Sequence, residues 1–247
     1  MTFDAARFRE GLIRVFAENA LDPLLTDERV GALCAFAVRL SEENEKYNLT
    51  ALTTPDDMIL RHFADCAALI PRLPETGKVL DVGCGAGFPS LVLAILRPSL
   101  SVTALDATEK KVRFVCETAD LLGLSNVATL SGRAETLSAP GSELRESFDV
   151  VTARAVARLP ILSELCLPFA SVGGVFLAMK GPAAEREATE AARAIPQLGG
   201  KLEGVFGRTL RDGETEPLRH AAVVIRKAKN TPPEYPRAYA RIVKKTL

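Results

Sequence analysis

The sequence predicts an α/β fold with a mostly parallel seven-stranded sheet, a terminal antiparallel pair of strands and an N-terminal helical cap. Residues 4–70 carry apolar side chains at helical spacing. From Lys78 onward, short strand patterns alternate with helical segments, which is typical of βαβ units and a parallel sheet. The last two strand patterns are joined by RDGETEP, a link so short that the two strands must pair antiparallel.

The cap is predicted to contain three helices. FREGLIRVF places apolar residues on one face of the first helix, and Asp27 is predicted to cap the second. Thr54 is the predicted N-cap of the third helix, with Pro55 at its first helical position and acidic residues in the first turn. Pro71 and Pro74 are predicted to end it.

The strands follow the cap. In chain order, they are predicted at VLDV, SVTALD, NVATL, FDVVTA, GGVFLAMKG, KLEGVFGRTL and LRHAAVVIRK. Segments such as ATEKKVRFVCETADLLGL and AAEREATEAARAI are predicted as helices between them. We therefore divide the chain into a cap at residues 1–75, a core at residues 76–229 and a basic tail at residues 230–247.

The composition excludes several classes of protein. The five cysteines of the 247-residue chain are odd in number and include no C-x-x-C pair, which argues against a disulfide framework and a zinc site. No apolar run approaches the roughly 20 residues that span a bilayer, and the N-terminus has no signal-peptide pattern. We expect a cytoplasmic monomer with no metal and no membrane partner.

The charge is balanced overall, with 31 basic and 31 acidic residues, but it is unevenly distributed. From Arg219 to Leu247, eight Lys or Arg residues stand against one acid, Glu234. An end-loaded basic segment suits contacts with phosphates. The same pattern is also typical of a charged, solvated tail that only keeps the protein soluble.

Three alternating glycines, Gly83, Gly85 and Gly87, follow the first strand in KVLDVGCGAGFPS. Glycine tolerates positive φ and lets a ligand approach the backbone closely. The next segment is predicted as a helix, whose N-terminus offers unpaired N–H groups. This loop therefore predicts a small-molecule site.

The spacing of the loop bears on the identity of the small molecule. A nicotinamide dinucleotide would require G-x-G-x-x-G, and Phe88 occupies the place of the third glycine. With Asp81, the pattern D-x-G-x-G-x-G resembles motif I of class I S-adenosylmethionine-dependent methyltransferases, which have a Rossmann-like core. Asp106 ends the next strand, where its carboxylate can accept hydrogen bonds from both ribose hydroxyls. Ala134 and Glu135 follow the third strand at the rim where such sheets bind ligands, so they can flank the adenine.

The segment after the fourth strand bears on the reaction. TARAVARLP lacks the N/D-P-P-Y/F motif that methyltransferases acting on exocyclic amines commonly carry. Methylation of pyrimidine carbon 5 needs a cysteine nucleophile, whereas Cys166 lies in an apolar helix and is expected to be a buried hydrophobe. A nucleophile with its own lone pair, such as guanine N7, needs positioning and no general base. Arg154 and Arg158 suit the O6 edge of guanine.

Motifs spread over nearly the whole chain resemble the bacterial small-subunit (16S) rRNA guanine-N7 methyltransferase family, also called the glucose-inhibited division protein B family. They are YNLTAL, RHFADC, DVGCGAGFPS, LDATEKKVRFV, GRAE, TARAVA, MKG and YPRAYARIVKKTL. The resemblance implies transfer of a methyl group from S-adenosylmethionine to N7 of a guanosine in 16S rRNA. It also implies the small ribosomal subunit or its rRNA as the partner.

The resemblance further implies roles for individual residues. The positions that match cofactor contacts are Gly83, Phe88, Ala134, Glu135 and Arg154. The residues expected to contact RNA are Arg61, His62, Lys180, Arg237, Lys244 and Lys245, with Arg154 and Lys180 also positioning the substrate. The tail departs from the family at Ala238, Tyr239, Ala240 and Val243, where a further basic residue, a proline-glycine turn and another proline are usual.

The sequence leaves two alternatives to this function. One is a methyltransferase that acts on a protein or a small molecule. The other is a ribosome-associated protein that holds the cofactor without transferring a methyl group. A nicotinamide-dependent oxidoreductase fits the glycine spacing less well than either.

Overall fold

The computed structural model describes residues 3–213 and 215–247, and within them seven strands form one sheet in the order β3-β2-β1-β4-β5-β7-β6. The strands are β1 (Gly77–Val82), β2 (Leu100–Asp106), β3 (Val127–Ser131), β4 (Phe148–Arg154), β5 (Ala170–Lys180), β6 (Gly200–Leu210) and β7 (Leu218–Lys227). β7 pairs antiparallel with both β5 and β6, and the other neighbouring strands pair parallel. The predicted fold class is confirmed.

Helices cover both faces of this sheet. They are α1 (Ala5–Glu18), α2 (Asp27–Tyr47), α3 (Pro55–Met58), α4 (Asp65–Ala67), α5 (Ser90–Leu96), α6 (Glu109–Leu121), α7 (Ala134–Leu137), α8 (Leu159–Cys166), α9 (Ala184–Glu190), α10 (Ala194–Gln197) and α11 (Tyr239–Lys244). A π-helical segment, Ile59–Ala64, joins α3 to α4 without a break in the chain. π-Helical turns of this kind are frequent at functional sites.

The cap follows the prediction except at two helix ends. Thr26 caps α2, because its side chain accepts a hydrogen bond from the backbone N–H of Arg29, and Asp27 is the first helical residue. Thr54 caps α3 as predicted, with Pro55 at the first helical position. The third helix ends at Ala67, and Pro71 lies beyond it in a short 3₁₀ turn.

Two apolar clusters lie on opposite faces of the sheet. Along β1, Val79 belongs to one cluster and Leu80 to the other, because successive side chains of a strand point to opposite faces. The first cluster contains the buried apolar side chains of α1, α2 and α5, so the cap packs on one face of the core. The second cluster contains residues of α8 and α10 together with Ile242 of α11.

The C-terminal tail packs on the core. Arg145 donates hydrogen bonds to the backbone carbonyls of Thr231, Pro232 and Tyr235, at 2.7–3.2 Å. Lys227, in the basic segment just before the tail, is fully buried, and its ammonium lies 3.0 Å from the Glu146 carboxylate. Part of the positive charge counted from the sequence therefore stabilises the fold.

Candidate active site

A cavity of about 410 Å³ opens where β1, β2, β3 and β4 end. These four strands are neighbours in the order β3-β2-β1-β4, so the residues after β3 and after β4 lie about three strand spacings, or about 14 Å, apart. The sequence-predicted residues that line it are Gly83, Gly85, Phe88, Asp106, Ala134, Glu135, Arg154 and His62. The sheet therefore brings most of the expected cofactor residues to one cavity.

The glycine loop folds over the end of β2. The N–H of Gly83 donates to the carbonyl of Leu105 at 2.7 Å, and Gly83 has φ +77°. A Cβ at Gly83 would lie 2.5 Å from the Val156 side chain, so no larger residue fits there. At Gly85, φ is +56° and a Cβ would meet no atom closer than 4.0 Å, which leaves room for a ligand. Gly87 shapes the turn into α5 but does not line the cavity.

Asp106 is fixed by the loop it faces. One carboxylate oxygen accepts the N–H of Gly85 at 3.1 Å, and the other accepts the N–H of Thr108 at 2.9 Å. The ammonium of Lys111 lies 3.9 Å from the same carboxylate. Each carboxylate oxygen can accept a second hydrogen bond, so Asp106 retains acceptors for the hydroxyl groups of a ligand.

Asp81, the acid of the D-x-G-x-G-x-G pattern, lies beneath the cavity and does not line it. It is fully buried, and one carboxylate oxygen accepts the N–H of Ser90 at 3.1 Å. Burial raises the pKa of Asp81 to about 7. Asp81 therefore joins β1 to the start of α5.

Arg154 is held by the cap. Its guanidinium lies 2.9 Å from the carbonyl oxygen of Arg61, 2.9 Å from Nδ1 of His62 and 3.5 Å from the carboxylate of Asp65. Asp65 is buried and also pairs with His220 of β7. These contacts use three of the five N–H donors of an arginine, which leaves two for a ligand.

His62 is part of the cavity wall. Its ring stacks on Phe88, with centroids 4.4 Å apart, and burial lowers the pKa of His62 to about 3, with the charge of Arg154 adding to the effect. The imidazole is therefore neutral near pH 7. Because a guanidinium only donates, Nδ1 of His62 accepts from Arg154, and Nε2 carries the proton and donates to Thr50 Oγ1 at 2.9 Å.

Four cations expected to contact RNA lie outside this cavity. Arg61 is exposed, and its side chain pairs with Asp57. Lys180 lines an adjoining cavity of about 450 Å³, which also contains Arg154, and pairs with Glu187 at 2.8 Å. Lys244 and Lys245 are exposed at the end of α11.

Arg237 was expected to contact RNA, and the structure gives it another partner. Two nitrogens of its guanidinium donate to the carboxylate of Glu164 at 2.6–3.2 Å, and its backbone N–H donates to the same carboxylate at 2.8 Å. The Glu164 side chain is 1% exposed. Arg237 therefore neutralises a buried carboxylate, a structural role that the sequence did not indicate.

Sequence reasoning assigned no role to several residues that line the cavity. Thr50 lies in the YNLTAL motif and Lys111 in LDATEKKVRFV, so motif membership was a signal for both. Arg133 immediately precedes Ala134. Tyr239 of the tail also lines the cavity, at a position where the sequence departs from the family pattern.

Within residues 3–213 and 215–247, no group of three or more His, Cys, Asp or Glu side chains is arranged to hold a metal ion. In the same residues, no helix has the length and apolarity needed to cross a membrane.

Comparison with known proteins identifies the family. The family model for rRNA small subunit methyltransferase G matches residues 30–208. The protein of that name from Deinococcus radiodurans is 46% identical over 232 residues, covering 93% of this chain and 88% of its own, and that from Clostridium perfringens is 43% identical over 210 residues, covering 84% and 86%. The crystal structure of TYW2 from M. jannaschii in complex with AdoMet has the same core fold, with a TM-score of 0.53 over 66% of this chain and 75% of its own at 17% identity. The chain belongs to the rRNA small subunit methyltransferase G family, as its motifs predict.

Proposed function

We propose that this protein is an S-adenosylmethionine-dependent methyltransferase that modifies N7 of a guanosine in 16S rRNA. One observation carries the proposal. The glycine loop, Asp106 and the Ala134–Glu135 pair line a single cavity, in a chain that belongs to a family named for methylation of small-subunit rRNA. The relatives at 40–46% identity carry the same name.

The cavity fits the cofactor in size and in chemistry. Its volume of about 410 Å³ falls in the range of small-molecule sites. Gly85 lines it with space where a Cβ would stand, and the fixed carboxylate of Asp106 offers acceptors for a ribose diol. Ala134 and Glu135 would flank the adenine. When bound, S-adenosylmethionine supplies an electrophilic methyl group.

The residues around the cavity support an N7 target. Guanine N7 carries a lone pair and no proton, so its methylation requires no general base. Cys84 lines the cavity, but burial raises the pKa of its thiol, so it stays protonated and is a poor nucleophile. His62 is neutral and already bonded through both ring nitrogens. Positioning therefore carries the catalysis.

The adjoining cavity is a suitable site for the target base. It shares Arg154 with the cofactor cavity and contains Lys180, whose ammonium also donates to the carbonyl of Ala157 at 2.6 Å. We infer that Arg154 binds polar groups of the cofactor or the base with its two remaining N–H donors. A cationic surrounding suits the acceptor atom O6 of guanine and leaves the lone pair of N7 free to attack the methyl group.

Exposed cations would bind the rRNA backbone. Lys244 and Lys245 lie at the end of the tail, and Arg61 pairs with Asp57 in an exposed ion pair that contributes little and can rearrange. Phosphate contacts add affinity and carry no sequence information. We further propose a cytoplasmic location, where ribosomal subunits are found, and a monomeric state.

Methylation of small subunits from a strain lacking this protein tests the proposal. With S-adenosylmethionine present, the wild type should produce 7-methylguanosine in 16S rRNA, detected by mass spectrometry of nuclease digests. Asp106→Asn, which retains one carbonyl acceptor but not the charge, should bind the cofactor more weakly, by about 2 kcal/mol. Cofactor binding without any methylated rRNA would favour a binding protein, and methylation of another molecule would favour a different substrate.

A second experiment addresses the nucleophile. Replacement of the target guanine by 7-deazaguanine, which has carbon in place of N7, should abolish methylation and leave RNA binding intact. The single-turnover rate should be constant from about pH 6.5 to 9, because no group has to change protonation before transfer. A methylated 7-deaza product would refute the assignment to N7.

A further inference from the structure

Tyr239 is a tail residue on the wall of the main cavity. It is the first residue of α11, and it lines the cavity together with the residues that follow β3, from Gly132 to Glu135. The guanidinium carbon of Arg133 lies 5.7 Å from the centroid of the tyrosine ring. The Tyr239 residue is 41% exposed, so the protein leaves part of its ring uncovered.

The backbone at Tyr239 is anchored on both sides along the chain. Two residues before it, Arg237 forms a bidentate ion pair with the buried Glu164 of α8. Three residues after it, Ile242 is 1% exposed and belongs to the apolar cluster beneath α8. Tyr239 lies between these two anchors, so little backbone entropy is lost when its ring contacts a ligand.

The order of the strands indicates which part of a ligand the ring would meet. The residues after β3 lie at the edge of the sheet, Asp106 ends β2 next to them, and Arg154 ends β4 on the far side of β1. A ligand whose ribose is bound by Asp106 therefore extends toward Tyr239 in one direction and toward Arg154 in the other. Purine rings stack favourably on aromatic side chains.

We propose that Tyr239 contacts the adenine of bound S-adenosylmethionine, so that the C-terminal tail completes the cofactor pocket. The inference rests on the proposed function for the identity of the ligand. It gives the tail two roles, since Lys244 and Lys245 are exposed at the end of the same helix and remain available to RNA.

Calorimetric titration of the full-length protein tests this inference, with S-adenosylmethionine and adenosine as separate ligands. Tyr239→Ala should bind both about tenfold more weakly than the wild type, because one base-stacking contact is lost. Tyr239→Phe should bind normally. Tyr239→Leu, which keeps apolar volume without an aromatic face, should also bind both ligands more weakly than the wild type. The matched control is Val243→Ala, since Val243 is 50% exposed on the same helix and does not line the cavity.

Several outcomes would overturn the inference. One is unchanged affinity of Tyr239→Ala and Tyr239→Leu for both ligands, with thermal unfolding of the ligand-free proteins showing that they are folded. Another is a loss for S-adenosylmethionine but not for adenosine, which would place the ring away from the adenosyl half. Failure of the wild type to bind S-adenosylmethionine would overturn the proposed function and this inference with it. Normal cofactor affinity combined with weaker rRNA binding would assign Tyr239 to RNA.

Discussion

Replacement of His62 by asparagine should make the stability of the protein less sensitive to acid. In the folded protein, burial and the charge of Arg154 lower the pKa of His62 to about 3. In the unfolded chain, the imidazole has an ordinary pKa of about 6.5. As the pH falls through 6.5, the unfolded chain therefore binds a proton that the folded protein excludes, and the free energy of unfolding decreases.

The size of this effect follows from the two pKa values. At pH 7.5 the contribution is negligible, and at pH 5 it amounts to about 2 kcal/mol in favour of the unfolded state. In His62→Asn, the amide oxygen can still accept a hydrogen bond from Arg154, but the side chain does not titrate. The variant should be less stable than the wild type at pH 7.5, because the stacking on Phe88 is lost. The difference should shrink by about 2 kcal/mol between pH 7.5 and 5.

Urea unfolding followed by far-ultraviolet circular dichroism, at several pH values from 7.5 to 5, measures this difference. Other titrating groups are present in both proteins, so their contributions cancel. Leu33→Ala is the matched control, because Leu33 is fully buried in the same cap and does not titrate. The difference in the free energy of unfolding between Leu33→Ala and the wild type should not change with pH. A pH-independent difference for His62→Asn as well would refute the reasoning that His62 is buried in the neutral form.

The remaining predictions concern Asp81 and the tail. Burial raises the pKa of Asp81 to about 7. The unfolded chain releases this proton at about pH 4, so the free energy of unfolding decreases as the pH rises from there to about 7. Asp81→Asn should therefore gain about 2 to 3 kcal/mol relative to the wild type between pH 5 and 8 in the same urea series; no gain would mean that the carboxyl group ionises normally. Arg237→Ala should lower the free energy of unfolding by about 3–5 kcal/mol, because Glu164 would remain buried without its partner. In filter-binding assays, rRNA binding by Arg237→Ala should depend on salt as steeply as rRNA binding by the wild type. A reduced slope would show that Arg237 contacts RNA. Lys244→Ala combined with Lys245→Ala should leave stability nearly unchanged and reduce the slope of log K against log salt by about 1.5; an unchanged slope would remove these lysines from the interface.

The strands were predictable because their signal is local. The last predicted strand, LRHAAVVIRK, coincides with β7, and most of the others differ from the observed bounds by one to three residues. The position of β7 between β5 and β6 was not predictable, because strand order depends on contacts between distant segments. The N-cap of α2 was misplaced by one residue, since Thr26 and Asp27 are both favourable capping residues.

The candidate site was predictable where its residues lie at strand ends. Asp106 ends β2 and the Ala134–Glu135 pair follows β3, and the topology of a parallel sheet brings such positions to one edge. The partnership of His62 with Arg154 joins residues 92 positions apart, and no spacing rule indicates it. For the same reason, neither the charge count nor the resemblance indicated that Arg237 pairs with Glu164.

The cap and the tail both contribute to a cavity that the core alone would leave open. At the β4 end, the cap supplies His62 and Asp65, which engage Arg154 through side chains, together with the carbonyl of Arg61. At the β3 end, the tail supplies Tyr239. The glycine loop and Asp106 between them resemble a pattern common to class I methyltransferases, and His62 and Asp65 both belong to the RHFADC motif. Because two N–H donors of Arg154 remain for a ligand, the cap can act on the bound ligand through the orientation of one guanidinium. A substitution in the cap that keeps Arg154 present but releases it should therefore lower the affinity for the ligand that this guanidinium binds, as measured by calorimetric titration with S-adenosylmethionine and by rRNA binding.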